Sequence, residues 1–208
     1  METNMQIKDF FYLDGKIALV NFTASPTILD SDPNASEIRW EIIRGNYKGI
    51  DFPLVFKQES GKKLVDILGT GWCSLYLISD RMKKALEANH LTGWKTYPVK
   101  IYDKKGNEVL GYNGFSIIGR CGSIDYNKSE IIEKRYVPNG PLCKLYKGFY
   151  IGLDKWDGSD FFMPFDTGHH IVTKKAAEVL KKHKFNVELK NLADCEIDID
   201  DVKQKIPK

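Results

Sequence analysis

The adjacent pair His169-His170 is where this chain comes closest to chemistry, because imidazole changes charge near neutral pH and binds metals. Asp166 lies three residues earlier, and Cys143 lies further upstream. A cysteine beside a histidine can supply a thiolate nucleophile, and two histidines with a carboxylate can hold a metal ion. Spacing argues against both. Adjacent residues entering a strand point to opposite faces, so His169 and His170 do not easily serve one centre. The usual HxH and HxxxH ligand spacings are missing, and Leu142 and Lys144 give Cys143 no nucleophile motif. The plainer reading is a turn and a strand start before a helix.

Phosphate and hydrolase motifs are no better supported. Gly69-Thr70-Gly71 lacks the downstream Gly, Lys and Ser/Thr of a P-loop, and Gly119-Arg120-Cys121-Gly122 lacks the setting of a dinucleotide site. No GxSxG elbow or HExxH helix occurs. The expectation is a chain that is not an enzyme, with no catalytic, cofactor-binding or metal-binding residues and no cofactor.

Binding leaves clearer candidates. Asp157 and Asp160 flank Gly158-Ser159 in a turn that opens on Trp156, a residue type enriched among interface anchors. Burial of Trp156 in the core stays an open alternative. Near the C-terminus, Asp194, Glu196, Asp198 and Asp200 alternate with Cys195, Ile197 and Ile199, the period of a half-buried strand. Its acidic row can face a basic partner, or guard a sheet edge against unwanted pairing. Trp156, Asp157, Asp160, Glu196, Asp198 and Asp200 are therefore the candidate interface.

Lys174, Lys175, Lys181, Lys182 and Lys184 form a basic helix without arginine or interleaved aromatics. Three of them sit where cations favour the helix dipole, so a solvated face is the better reading. A net charge of +3 over 208 residues is also small for a nucleic-acid partner. No apolar run reaches the ~20 residues of a membrane-spanning helix. The four cysteines are far apart, which reads as reduced thiols in the cytoplasm.

The elements that position these residues follow from periodicity. Strands are expected at Lys16–Phe22, Phe52–Phe56, Ser74–Ile78 and Trp94–Tyr102, with turns at Ser25-Pro26 and between Asp30 and Asn34. Ser79 caps a helix carrying Met82, Ala85 and Leu86 on one face. Asp103–Asn107 reads as a hairpin connection to a strand over Glu108–Gly119, with a bulge at Gly111 or Gly114. Residues 120–165 look less regular, with turns at Pro138–Pro141 and Trp156–Asp160.

Thr173–Phe185 repeats the design of Ser79–Leu91 at an offset of 94 residues, with Thr173 as cap and Ala176, Val179 and Leu180 as the apolar stripe. Each copy is followed by a strand-like segment. Duplication and coincidence both explain two such copies. With 42% hydrophobic and 12% aromatic residues there is material for a substantial core. The expected fold is α+β, a mixed or antiparallel sheet with two amphipathic helices. It forms one compact domain over 1–208, with a division into related strand-helix-strand halves 1–135 and 136–208 left open.

Several of these segments also resemble a bacterial family of immunity proteins associated with polymorphic toxin systems. The resemblance is carried by Leu77–Met82, Leu91-Thr92-Gly93, Tyr97-Pro98-Val99, Gly111-Tyr112 and Ile117–Arg120. It continues through Ile124-Asp125, Ser129, Leu145–Phe149 and the helix at Val172-Thr173 with Leu180, spanning roughly Leu64–Glu196. It implies an intracellular protein that binds and blocks a cognate toxin by stoichiometric contact, without catalytic residues. The competing reading is an enzyme or small-ligand domain built on Asp166, His169 and His170.

Overall fold

The computed structural model describes residues 6–16, 18–27, 33–165 and 167–205. The first strands are β1 (Phe10–Gly15) and β2 (Thr23–Pro26), followed by helix α1 (Ala35–Arg44). Next come β3 (Leu54–Ser60), β4 (Ile67–Gly69), β5 (Tyr76–Ser79) and α2 (Asp80–Ala88). Strands β6 (Trp94–Tyr97), β7 (Val99–Tyr102), β8 (Tyr112–Ile117) and β9 (Gly119–Ile124) lead to β10 (Glu130–Lys134) and β11 (Cys143–Lys147). The chain ends through β12 (Ile151–Gly152), β13 (Phe161–Pro164), β14 (Ile171–Thr173), α3 (Lys174–Lys182), β15 (Val187–Asn191), β16 (Glu196–Asp198) and α4 (Ile199–Lys205). The fold is α+β, with sheets of order β12-β9-β13-β14-β1-β15, β4-β5-β8-β6, β2-β3-β7 and β10-β11-β16. Parallel pairing occurs at β13–β9 and β3–β7, so the sheets are mixed or antiparallel.

Both expected helices form, and each is capped as its sequence requires. The Ser79 hydroxyl accepts from Met82 N–H at 3.1 Å, and that of Thr173 accepts from Ala176 N–H at 3.3 Å. Met82, Ala85 and Leu86 on α2, like Ala176, Ala177 and Leu180 on α3, are buried in one apolar cluster. A second cluster gathers Phe10, Cys121, Phe149, Phe162, Ile171 and Cys195.

The N-terminal strand is displaced from its expected place. Ile17 lies outside the described residues, Leu19 and Val20 form an exposed turn, and the strand is β1 just before them. Phe10–Gly15 holds the pairing positions between β14 and β15, so the following apolar run has no ladder to join. Ser25-Pro26 is the end of edge strand β2, where a proline costs no ladder bond. Of the expected Asp30–Asn34 turn, residues 30–32 lie outside the described residues.

Further on, Trp94–Tyr102 is two strands rather than one, because Pro98 has no N–H to give and the chain changes sheets there. Gly106 turns the chain with φ +87°, and the expected pairing forms through the bridge Tyr102 to Glu108 and through β6 with β8, from Tyr97 opposite Gly114 to Trp94 opposite Ile117. On its other side β8 pairs with β5. Gly114 is no bulge; the Tyr97 ring crosses it so closely that a Cβ there would lie 2.0 Å from ring carbons. Residues 120–165, expected to be less regular, hold β9 to β13. Helices α1 and α4 were not expected, and the C-terminal alternation ends at Asp198, where Ile199 starts α4.

The echo between the two helices extends through the surrounding sheet. Ile67 pairs with Ile78 and Leu68 with Leu77; 94 residues later, Phe161 pairs with Val172 and Phe162 with Ile171. In each unit an antiparallel strand lies between the strands before and after the helix: β8 in one, β1 in the other. The Ser79 hydroxyl donates to Asp66 at 2.8 Å, as that of Thr173 does to Asp160 at 3.0 Å. Arg81 pairs with Asp66 and Lys175 with Asp160.

Contacts between the units are reciprocal, the signature of an approximate two-fold relation. Arg81 donates to the carbonyl of His183 beyond α3, and Lys175 to that of His90 beyond α2. Equivalent residues Ser74 and Gly168 meet, the serine hydroxyl donating to the glycine carbonyl at 2.9 Å. β1, at the N-terminal end of the chain, completes the unit whose other strands lie beyond residue 160.

Candidate functional site

The two histidines diverge, as neighbours at a strand entry must. His170 is buried with Nε2 lacking a hydrogen-bond partner, and its ring lies 5.2 Å from that of Tyr76. Burial, with smaller contributions from His169 and Arg120, pushes its pKa down to about 3, so the ring is neutral. His169 lies between the rings of Tyr12 and Phe149, at 5.5 and 5.4 Å. It lines a cavity of about 230 Å³ with Lys190, Cys195, Glu196 and Ile197. The thiol lining that cavity is Cys195, while Cys143 lies on β11 opposite Lys134. Burial pushes Cys195 up to about 11, which disfavours the thiolate that nucleophilic attack needs. Asp166 lies outside the described residues. Among the described residues, no three His, Cys, Asp or Glu side chains gather to hold a metal.

The Trp156–Asp160 turn is largely occupied with holding itself. Trp156 is half-buried, edge-on to Phe10 at 5.3 Å and tilted against Phe162 at 5.5 Å. Its indole N–H donates to the Ser159 carbonyl. Burial opposes ionisation of Asp157, but hydrogen bonds from Ser159 and the Arg120 N–H hold its carboxyl below the usual range. Asp160 is buried and accepts from Thr92 N–H, the Thr173 hydroxyl and Lys175. Of the three acceptor and anchor candidates here, Asp157 alone is exposed.

The acidic C-terminal residues belong to a different surface. Glu196 and Asp198 sit on β16, opposite Lys147 and Leu145 of β11. Lys134 reaches Glu196 at 2.8 Å, and that hydrogen bond holds the carboxyl low. Asp198 accepts from the N–H of Asp200, so both residues serve the start of α4 and Asp200 is not on a strand. The acidic row is thus interleaved with lysines.

What the acidic pattern did not reveal is the other edge of the same sheet. β10 is an outer strand, and its hairpin with β11 carries Ile131 (61% exposed), Tyr136 (62%), Val137 (58%) and Leu142 (50%). Around them, Lys128–Lys147 holds five cations and two carboxylates. Exposed apolar side chains on one element, with charged residues between them, mark interaction surfaces. The visible signal was Tyr136-Val137 and Leu142 flanking Pro138–Pro141, apolar residues beside a turn that offers them no cover.

A cleft of about 400 Å³ opens beside β1, with Tyr12 lining both it and the smaller cavity. Tyr12, Asp14 and Lys16 form one wall, the loop Gly69–Ser74 another, and Ala18, Asn21 and Phe22 a third. At its floor the Tyr76 hydroxyl donates to Asp14.

An α+β chain with a projecting, apolar-tipped hairpin and internally neutralised acids has the makings of a protein-binding module. The immunity protein family (Imm11) matches over residues 19–190, and the chain belongs to that family. No curated protein matches it. The family suggests a toxin-neutralising role.

Proposed function

We propose that this chain neutralises a cognate bacterial toxin by stoichiometric protein–protein contact, and that the β10–β11 hairpin supplies the anchors. The observation that carries this reading is that Ile131, Tyr136, Val137 and Leu142 of one hairpin are exposed beside an open strand edge. Burying such side chains against a partner contributes about 1.5–3 kcal/mol each, and aromatic anchors dominate interfaces of this kind. A free strand edge adds main-chain hydrogen bonds to an extended partner segment. The excess of cations suits an acidic face on the toxin and speeds encounter. Glu196, Asp198 and Asp200 lie on or next to the same sheet and help fix register, while Asp157 and Trp156 are peripheral candidates. Cysteines kept as thiols agree with action in the reducing bacterial cytoplasm, where such a toxin would be met.

Co-expression with the toxin candidate encoded next to this gene, read as co-purification and growth rescue, tests the proposal. The double variant Tyr136→Asp/Val137→Asp is expected to weaken binding at least ~100-fold, about 2.7 kcal/mol, with an unchanged melting temperature. A chain that neither binds nor protects sinks the reading. One that protects equally well with both substitutions moves the interface elsewhere.

A further inference from the structure

We infer that the cleft beside β1 is a second helix seat, and that it takes an acidic amphipathic helix presented by a partner protein. The repeat supplies the reason. In the unit built on β8, the place that corresponds to this cleft is filled by the chain's own α1. The Ser116 hydroxyl donates to the Ile42 carbonyl of α1 and accepts from the Tyr47 hydroxyl. Trp40 of α1 lies against Gly168, 3.4 Å from where a Cβ would stand. The strand registers relate Ser116 to Asp14, and the 94-residue offset relates Gly168 to Ser74. Asp14 and Ser74 both line the open cleft.

The seat is lined by smaller residues than its counterpart. Gly69, Thr70 and Gly71 occupy the positions of Met163, Pro164 and Phe165 in the other unit. The lining mixes Phe22, Ile67 and Trp72 with hydroxyls, as a helix face needs, and the volume suits two or three inserted side chains.

Charge and exposure at the rim select the occupant. Leu19 is 96% and Val20 62% exposed, on the turn whose neighbours Ala18 and Asn21 line the cleft. Backbone N–H groups of Lys62 and Lys63 bond the Val20 carbonyl, which places two exposed lysines beside Lys16 on the same rim. Against these three lysines stand two carboxylates, Asp14 bonded by the Tyr76 hydroxyl and Glu59 by that of Ser25. Uncovered apolar side chains among lysines call for a helix with an apolar stripe flanked by acids. That this helix belongs to the toxin rests on the function proposed above; the seat itself does not.

The probe is a fluorescein-labelled peptide of residues 34–47 with Arg39→Glu and Arg44→Glu, titrated with the full chain and read by anisotropy. Saturable binding is expected, weakened at least ~10-fold by Ala18→Trp, which fills the cleft, and by Lys62→Glu/Lys63→Glu on its rim. Unchanged circular dichroism and melting temperature confirm that these variants fold. No saturable binding, or binding indifferent to both variants, overturns the seat. A second arm uses Cys73, which lines the cleft and is exposed, in a Cys143→Ser background. In the co-purified toxin complex its alkylation is expected to slow at least ~10-fold. An intact complex in which Cys73 reacts at the free rate removes the toxin as occupant and leaves neutralisation standing. If no complex forms, neutralisation falls and the peptide still decides the seat.

Discussion

His170 sets a pH dependence that can be read from its surroundings. Its folded pKa of about 3 lies below the unfolded value near 6.5, so between these limits the unfolded chain binds the proton and the folded chain does not. Stability contributed by the neutral ring is complete above pH 6.5 and is lost as pH falls, at up to about 1.4 kcal/mol per pH unit. His170→Phe keeps a ring against Tyr76 and removes the unpartnered nitrogen. Urea denaturation at pH 7 and pH 5 should show the parent losing stability and the variant losing less; parallel losses would refute the assignment. Asp160 makes a contrasting case. Its replacement by Ala strands the Thr92 N–H and the Thr173 hydroxyl beneath the surface, at a cost of about 3 kcal/mol. Asp66→Ala should cost less, about 1 kcal/mol, because the Arg81 side chain it pairs with is 55% exposed. Chemical denaturation of the two variants side by side checks the order. Residue types foretold little of this difference. Asp160 looked like a surface acid because its neighbours Gly158 and Ser159 make a turn, and only the fold brings Thr92 and Lys175 to it.

At the scale of elements, the aspartate–hydroxyl pair makes each helix start a small network. A helix cap alone is worth about 1 kcal/mol, but Ser79 and Thr173 also donate to a carboxylate that a cation neutralises. Ser79→Ala and Thr173→Val are therefore each expected to cost about 2 kcal/mol. Asp66→Ala combined with Ser79→Ala should cost less than the separate changes together, by about 0.5 kcal/mol or more. A double-mutant cycle in urea measures it, and strict additivity would show that the hydroxyl and carboxylate act independently. These helices were legible because cap and stripe are local signals, complete within about three turns of chain. The strands were less so. β1 is fixed by partners more than 150 residues away in sequence, β8 has the distant β5 on one side, and Pro98 separates two strands that look like one run. α1 went unread although Ala35, Ile38 and Ile42 keep helical spacing, since Arg39, Glu41 and Arg44 break its apolar face. The hairpin at β10 and β11 escaped for the opposite reason. Its apolar residues signal a core, and only the finished fold leaves them in solvent.

The whole molecule behaves as one cooperative body if the two units share their core, and the apolar clusters say that they do. Met82 and Leu86 of α2 lie in the same buried cluster as Ala176 and Leu180 of α3, with Phe115 and Phe161 meeting edge-on at 5.8 Å between the units. A cavity opened at one helix should then weaken the other unit equally. Leu180→Ala removes a fully buried side chain and is expected to cost about 3 kcal/mol. Native-state hydrogen exchange distinguishes shared from separate stability, because amides released only by global unfolding all lose protection together. The prediction is that the slowest amides of β5 and of β14 lose the same free energy in Leu180→Ala. Amides near the exposed β10–β11 tip are expected to exchange by local opening and to change little. Loss confined to β14, α3 and β15 would mean that the units fold separately, and the reciprocal bonds from Arg81 and Lys175 would then be docking contacts between two independent bodies. A shared core carries a functional consequence. If the exchange data show it, the exposed hairpin and the cleft beside β1 are carried on one framework, and a partner touching both must match their spacing from the start.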